Sequence, residues 1–239
     1  MKISSPFRSL LLFPLLAVTL LAQPVAGRYV RTQDFDATKV IPVAPAADSL
    51  ATLADLETVY QVQRRRTPEQ VALANYFAED SVFQYDAVIG LWFTAANLPR
   101  TAEVFLQVDA DRYAISTKGK VVWSRPRPPL LDPRIQACAL LPASGSYPSG
   151  HSTQAFLWAG LLAEIFPAQR EALRERAELV AWSRVIAGVH YPTDIVAGRI
   201  LGDRLAKEFL GVPAFRDALA AVRAEITAFQ AKAGVTTSP

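Results

Sequence analysis

The chain of 239 residues holds one cysteine, Cys138. A lone thiol cannot close an intrachain disulfide, and a Cys/His metal site needs more ligands than it offers. Cys138 therefore reads as a small half-buried thiol, and the fold must stand on its core. Histidine is almost as scarce, with only His151 and His190. No Gly-rich nucleotide loop and no metal-ligand cluster occurs. Beyond the first 27 residues no apolar run reaches the roughly 18 residues of a membrane-spanning helix. Strict two-residue alternation and Asn-Gly hairpin turns are missing too, which argues against sheet-rich folds. Nor is there a strong surplus of one charge: 25 basic residues face 22 acidic ones, for a net +3. Lys2 and Arg8 lie in a leader without acidic residues, so its removal lowers the balance to +1. That balance points to no nucleic-acid partner, and Arg64-Arg65-Arg66 reads as a solvated helix end.

What is present begins with that leader. Basic Lys2 and Arg8, an apolar run from Leu10 to Ala22 and small residues at Ala26-Gly27 follow the order of a secretory signal peptide. Residues 1–27 are expected to be removed, with cleavage between 22 and 28, which gives a periplasmic or secreted protein without stable membrane insertion. No Cys follows the run, so a lipoprotein anchor is not supported. Residues 28–47 are polar and Pro-containing, and read as an arm without regular structure. Residues 48–239 suit a single domain with a substantial core. Helical patterning covers 49–64, 68–79, 81–97, 101–124, 152–166, 168–187, 194–210 and 213–232. Thr67-Pro68-Glu69-Gln70 has the residues of a capping box with Pro at the first helical position. Trp158 and Trp182 are expected in the core, and Trp123 on the wall of a site. The fold class is an all-α single domain.

Three clusters carry chemistry. The first is Lys118-Gly119-Lys120-Val121-Val122-Trp123-Ser124-Arg125-Pro126-Arg127-Pro128. The second is Pro148-Ser149-Gly150-His151. The third runs from Ser183-Arg184 to His190-Tyr191-Pro192-Thr193-Asp194. In order they match Lys-x6-Arg-Pro, Pro-Ser-Gly-His and Ser-Arg-x5-His-x3-Asp. The chain thereby resembles the type 2 phosphatidic-acid-phosphatase (PAP2) superfamily, which includes bacterial class A non-specific acid phosphatases and vanadium haloperoxidases. Gly145 to Ser152 looks most like the class A signature, with Ser152 where those enzymes usually have Thr. The stretch from Val212-Pro213 to Glu225 resembles their C-terminal helix. The resemblance spans roughly residues 40–230 and implies a helical bundle of the PAP2/vanadium haloperoxidase type.

Phosphate-ester hydrolysis needs a nucleophile, a proton donor for the leaving oxygen, and positive charge around the phosphoryl oxygens. His190 is the expected nucleophile. Asp194 should hold one of its ring nitrogens and so fix the tautomer, with Pro192 opening a new helix between them. His151 is the expected general acid. Ser149 and Gly150 should bind phosphate at a helix N-terminus that starts near Ser152-Thr153, where free N–H groups favour an anion. Arg184 supplies a planar fork of donors. The spacing leaves the remaining cations open: Lys118 with Arg125 and Lys120 with Arg127 both fit. Helical geometry favours the first pair, because Pro126 should end the helix and a seven-residue spacing shares one face, whereas the resemblance, through its Arg-x-Arg-Pro, favours Lys120 and Arg127, the pair expected here. The unused pair should be solvated charge.

The expectation is a secreted acid phosphatase that hydrolyses small phosphomonoesters through a phosphohistidine, with no cofactor and no metal, since Lys and Arg can supply the charge a metal would. A vanadium-dependent haloperoxidase and a lipid phosphatase are the alternatives on the same scaffold. Oligomeric state is open, a homodimer included.

Overall fold

The computed structural model describes residues 25–236; the leader residues 1–24, and with them most of the expected signal peptide, lie outside the described residues. Among those described, the chain is helical and contains no strand. The helices are α1 (Leu50–Arg65), α2 (Pro68–Tyr76), α3 (Asp86–Ile89), α4 (Pro99–Trp123), α5 (Pro128–Leu131), α6 (Gly150–Ile165), α7 (Arg170–Ile186), α8 (Pro192–Gly211) and α9 (Pro213–Ala233). None of them is long and apolar enough to cross a membrane.

Helix α6 is the centre of the bundle. Its sequence Ala155-Phe156-Leu157-Trp158-Ala159 to Leu161-Leu162-Ala163 is apolar on every face, and all eight of these residues are buried, the pattern of a helix enclosed by others. α7 and α8 pack on it, with α4 adding a third side. The α6–α8 contact is the most extensive between helices of the described residues, and small residues let the two backbones approach closely. A Cβ on Gly198 would stand 2.7 Å from the Ser149 carbonyl, and one on Gly202 would stand 2.5 Å from the Thr153 carbonyl. These glycines let the backbone of α8, which begins beside His190, press against the start of α6.

Local signals account for most boundaries. Thr67 and Gln70 form the expected capping box of α2. The segment 81–97 departs from its expected helix. It has a 3-10 turn at Val82–Tyr85 and the single turn α3, and stops at Gly90, whose φ of 130° an α-helix cannot hold. Beyond it the chain is irregular, and Phe93 packs edge-on against Phe166. The arm is irregular as expected, apart from a 3-10 turn at Ala37–Lys39, but it is no solvated tail. Val30, Phe35, Ala37 and Ile41 are buried. The Asp111 carboxylate of α4 accepts N–H bonds from Gly27, Arg28, Tyr29 and Val30 at 2.7, 3.1, 2.8 and 3.0 Å. Buried backbone N–H groups need acceptors, and one side chain serves four of them. Trp158 is in the core, whereas Trp182 is 39% exposed on the outer face of α7. The basic run is only partly solvated: Arg66 folds back to donate to Ile186 and Gln136 carbonyls.

Candidate active site

Helix α4 ends at Trp123 because Ser124 takes a left-handed conformation, φ 45°. The chain then runs extended through Arg125-Pro126-Arg127 into α5. That break decides the open register. Lys120, in the last turn of α4, and Arg127 both line a cavity of about 200 Å³ together with Arg184, His151, His190 and Gly150. Lys118 points elsewhere and is exposed. Arg125 is not solvated, as expected of the unused pair, but buried at 3% exposure. It turns away from the cavity because two carboxylates behind His190 require a partner.

Those carboxylates belong to Asp55 and Asp194. Arg125 Nη1 donates to Asp194 Oδ1 at 2.7 Å and to Thr193 Oγ1 at 2.7 Å. Its Nη2 donates to Asp55 Oδ2 and Thr52 Oγ1, both at 3.1 Å, and the guanidinium lies 3.8 Å from the centre of the Tyr191 ring. Thr193 Oγ1 closes the ring with a short bond to Asp55. The other oxygen of Asp194 accepts from Tyr191 N–H and meets His190 Nδ1, each at 3.0 Å. Burial pushes the Asp194 carboxyl up, while Arg125 and the Tyr191 N–H pull it back.

The front of His190 differs. Arg127 Nη1 lies 3.2 Å from Nε2. A guanidinium can only donate, so Nε2 presents its lone pair and Nδ1 carries the hydrogen given to Asp194. Arg127 otherwise donates to carbonyls, of Ser144 at 3.0 Å, Pro142 at 3.1 Å and Val189 at 2.8 Å. Lys120 Nζ likewise meets Gly145 and Pro148 carbonyls at 2.9 and 2.8 Å. Arg184 Nη1 donates to the Ala74 carbonyl at 3.1 Å, and its buried Nε finds no partner among the described residues. Dipoles hold these three cations; among the described residues no carboxylate forms an ion pair with them, and Asp80 and Asp194 act on them only from farther away. Burial, and next the neighbouring Arg127, pull the Lys120 ammonium down to about 7. Burial likewise lowers Arg127 to about 10, holds Arg184 below its usual value, and depresses His190 well below the usual imidazole range. Such a site attracts an anion.

Ser149 is the N-cap of α6, so the helix starts earlier than Ser152-Thr153 and those two lie inside its first turn. The Ser149 hydroxyl accepts from Ser152 N–H at 3.3 Å and is fully buried. It shapes the helix start and does not line the cavity; Gly150 does. His151 follows, with its side chain 22% exposed. Its Nε2 lies 3.3 Å from the Ala78 carbonyl and 3.5 Å from Asp80 Oδ1. Burial, then Arg184, lowers it to about 3. Trp123 stands behind the wall, packed edge-on against Tyr147. Among the described residues, no three His, Cys, Asp or Glu side chains gather where they could hold a metal ion.

Sequence reasoning missed Thr52, Asp55 and Thr193 behind His190, and Asp80 and Arg112 on the cavity wall. Only Arg112 left a local signal: with Ser116 and Lys120 it recurs every four residues along α4, on one helical face.

Residues 108–215, which contain all three motifs, match the PAP2 superfamily. A non-specific acid phosphatase of Salmonella typhimurium is 31% identical over 135 residues, 56% of this chain and 52% of that protein. This chain thus spans about half the length of that relative. An acid phosphatase of Zymomonas mobilis is 27% identical over 206 residues, covering 82% of this chain and 78% of its own. Among solved structures, a bacterial vanadium-dependent iodoperoxidase superposes with a TM-score of 0.58 at 20% identity, covering 74% of this chain and 53% of its own. That likeness concerns the fold.

Proposed function

The chain belongs to the PAP2 superfamily, and from that premise we propose that it is an acid phosphatase whose cavity hydrolyses phosphomonoesters through a phosphohistidine. The observation that carries this reading is the lone pair of His190 Nε2, set in a cavity where Lys120, Arg127 and Arg184 have no carboxylate in ion-pair contact. Acid phosphatases among the similar proteins support it.

In the proposed reaction the ester's phosphoryl group takes the donors of Lys120, Arg127 and Arg184, with backbone N–H groups at Gly150 beneath it. Nε2 attacks phosphorus, the phosphorus–oxygen bond to the leaving group breaks, and His151, whose pKa the bound dianion raises from about 3 so that it takes up a proton from solvent, gives that oxygen its proton. Asp194 stabilises the imidazolium formed as the phosphohistidine appears. Water then attacks phosphorus, His151 takes its proton, the phosphorus–nitrogen bond to His190 Nε2 breaks, and orthophosphate leaves. Lys and Arg supply the charge stabilisation, so the reaction is assigned no metal. The basic-apolar-small order of residues 1–27 supports a mature protein in the periplasm or outside the cell.

The test is a rapid acid or base quench of the purified mature protein with a labelled aryl phosphate. Label on His190, absent in His190→Ala together with turnover, is the expected result. Label on His151, or on neither histidine, overturns the assignment. Turnover in chelator should be unchanged; a loss restored by a divalent ion overturns the metal-free clamp.

A further inference from the structure

Arg112 belongs to none of the three motifs, yet it stands on the cavity wall and is only 4% exposed. Asp109, one turn earlier on α4, accepts its Nε at 2.9 Å and its Nη2 through the same oxygen, Oδ1. Gln154 of α6 donates to that oxygen at 2.6 Å. One edge of the guanidinium is thus fixed from two helices. The other, Nη1, has no acceptor among the described residues, and lies 3.4 Å from where a Cβ on Gly150 would stand. A planar fork held this way is a preorganised donor for an oxyanion. Three cations already surround the position of the transferred phosphoryl group. The fourth lines the same cavity beside Gly150, the residue before His151, the proposed proton donor to the leaving group. Asp80 is the one carboxylate among the cavity-lining residues.

We propose that Arg112 binds a second phosphate carried by the leaving group, so that the favoured substrates are diphosphates, in which the bridging oxygen is the one released. The bond from the transferred phosphorus to that oxygen breaks, His151 protonates it, and a phosphate departs. The assignment rests on His151 as proton donor, so the test reads binding apart from turnover.

Methylenediphosphonate, whose bridge cannot be hydrolysed, and methylphosphonate are titrated calorimetrically into the full mature chain and its Arg112→Gln and Arg112→Lys variants. Methylenediphosphonate should bind at least about tenfold more tightly to the wild type, the worth of one charge-assisted hydrogen bond. The advantage should vanish in Arg112→Gln and survive in part in Arg112→Lys, which keeps the charge. For kcat/KM, Arg112→Gln should lose about tenfold more on inorganic pyrophosphate than on phenyl phosphate. Equal wild-type affinity for the two phosphonates, or equal loss on both in the glutamine variant, overturns the proposal. If Arg112→Gln does not fold, the lysine variant decides: full retention or full loss on both ligands alike counts against the subsite. A wild type that hydrolyses neither substrate but binds methylenediphosphonate through Arg112 refutes the phosphatase reading and supports the subsite.

Discussion

Arg125 and Arg127 are two residues apart, carry the same charge and are equally buried, yet their guanidinium groups are satisfied by opposite means. Arg125 is spent on Asp55 and Asp194, with two threonine hydroxyls and the face of Tyr191 beside them, and only its Nε finds no partner among the described residues. Arg127 meets carbonyl oxygens, the Ser144 hydroxyl and the lone pair of His190. Carbonyls orient a cation without cancelling its charge, whereas two carboxylates more than cancel it. Between these two arginines, then, burial does not mark the ligand of the transferred phosphoryl group; a charge left without carboxylate partners does. His190 stands between the two arrangements, a closed network at its back and an open cationic cavity at its front.

The contrast is broken most forcefully at Arg125. Arg125→Leu strands two buried carboxylates, and removing one member of a buried ion pair costs about 3–5 kcal/mol. The loss should appear in urea unfolding, and activity should fall with it because Asp194 is no longer held from behind. Arg127→Leu should show the reverse signature. Its carbonyl partners border a cavity that water can enter, so the stability cost should stay near 1–2 kcal/mol. Should the two variants prove equally destabilised, the division into structural and ligand-binding arginines is wrong.

The next effect is on turnover alone. Losing a preorganised donor to a developing phosphoryl charge costs about 3 kcal/mol, roughly a hundredfold in kcat/KM. Arg127→Lys should come close to that figure although it keeps the charge, because the fork that reaches both the substrate and the Val189 carbonyl is gone. A loss of only about twofold would place Arg127 outside the reaction.

These residues show how far the sequence could be read. His151, Arg184, His190 and Asp194 lie in short motifs whose spacing survives folding, and the helical bundle follows from apolar periodicity. What lay outside reach is of longer range. Asp55 and Thr52 meet Arg125 across about 70 residues, and their helix carries no local sign of it. Arg125 and Lys118 fit the same spacing as Arg127 and Lys120, and one left-handed residue, Ser124, separates the readings. The helix expected over 81–97 failed because aromatic packing and Gly90 overrode a pattern rich in helix-compatible residues. Trp182 departs from the core position expected of a large apolar side chain because its helix turns that face outward.

A smaller effect sharpens the front half of the comparison. Burial and neighbouring cations depress Lys120 and both histidines in the free protein. A bound dianion opposes the cationic repulsion and raises all three, so anion binding must take up protons between the free and bound pKa values. For Lys120, lowered to about 7, that window opens at neutral pH. Sulfate stays a dianion throughout it. Calorimetry of sulfate binding at pH 7, in buffers of different ionisation enthalpy, should report uptake. Each unit of pKa rise corresponds to about 1.4 kcal/mol of coupling. In Arg127→Leu the uptake at Lys120 should shrink, since Arg127 is the cation that most depresses it. Net proton release on binding would contradict this picture of the cavity.

The smallest effect belongs to Lys118. It lies two residues from Lys120, about 200° around the helix at 100° per residue, and is exposed. The charge that feels it is Asp36 in the arm, whose carboxyl is held low first by its hydrogen bond to Thr38 and only weakly by Lys118. Exposed charges of this kind contribute less than about 1 kcal/mol. Lys118→Gln should therefore leave kcat/KM within about twofold of the wild type and the urea midpoint nearly in place. Lys120→Gln should lose about 2–3 kcal/mol of transition-state stabilisation, because its ammonium is buried against the Gly145 and Pro148 carbonyls and faces the cavity. Measured side by side on one aryl phosphate, the two variants separate position from charge, since each removes one positive group from the last two turns of the same helix. Comparable losses would mean that the field of α4 as a whole, and not a placed donor, holds the phosphate.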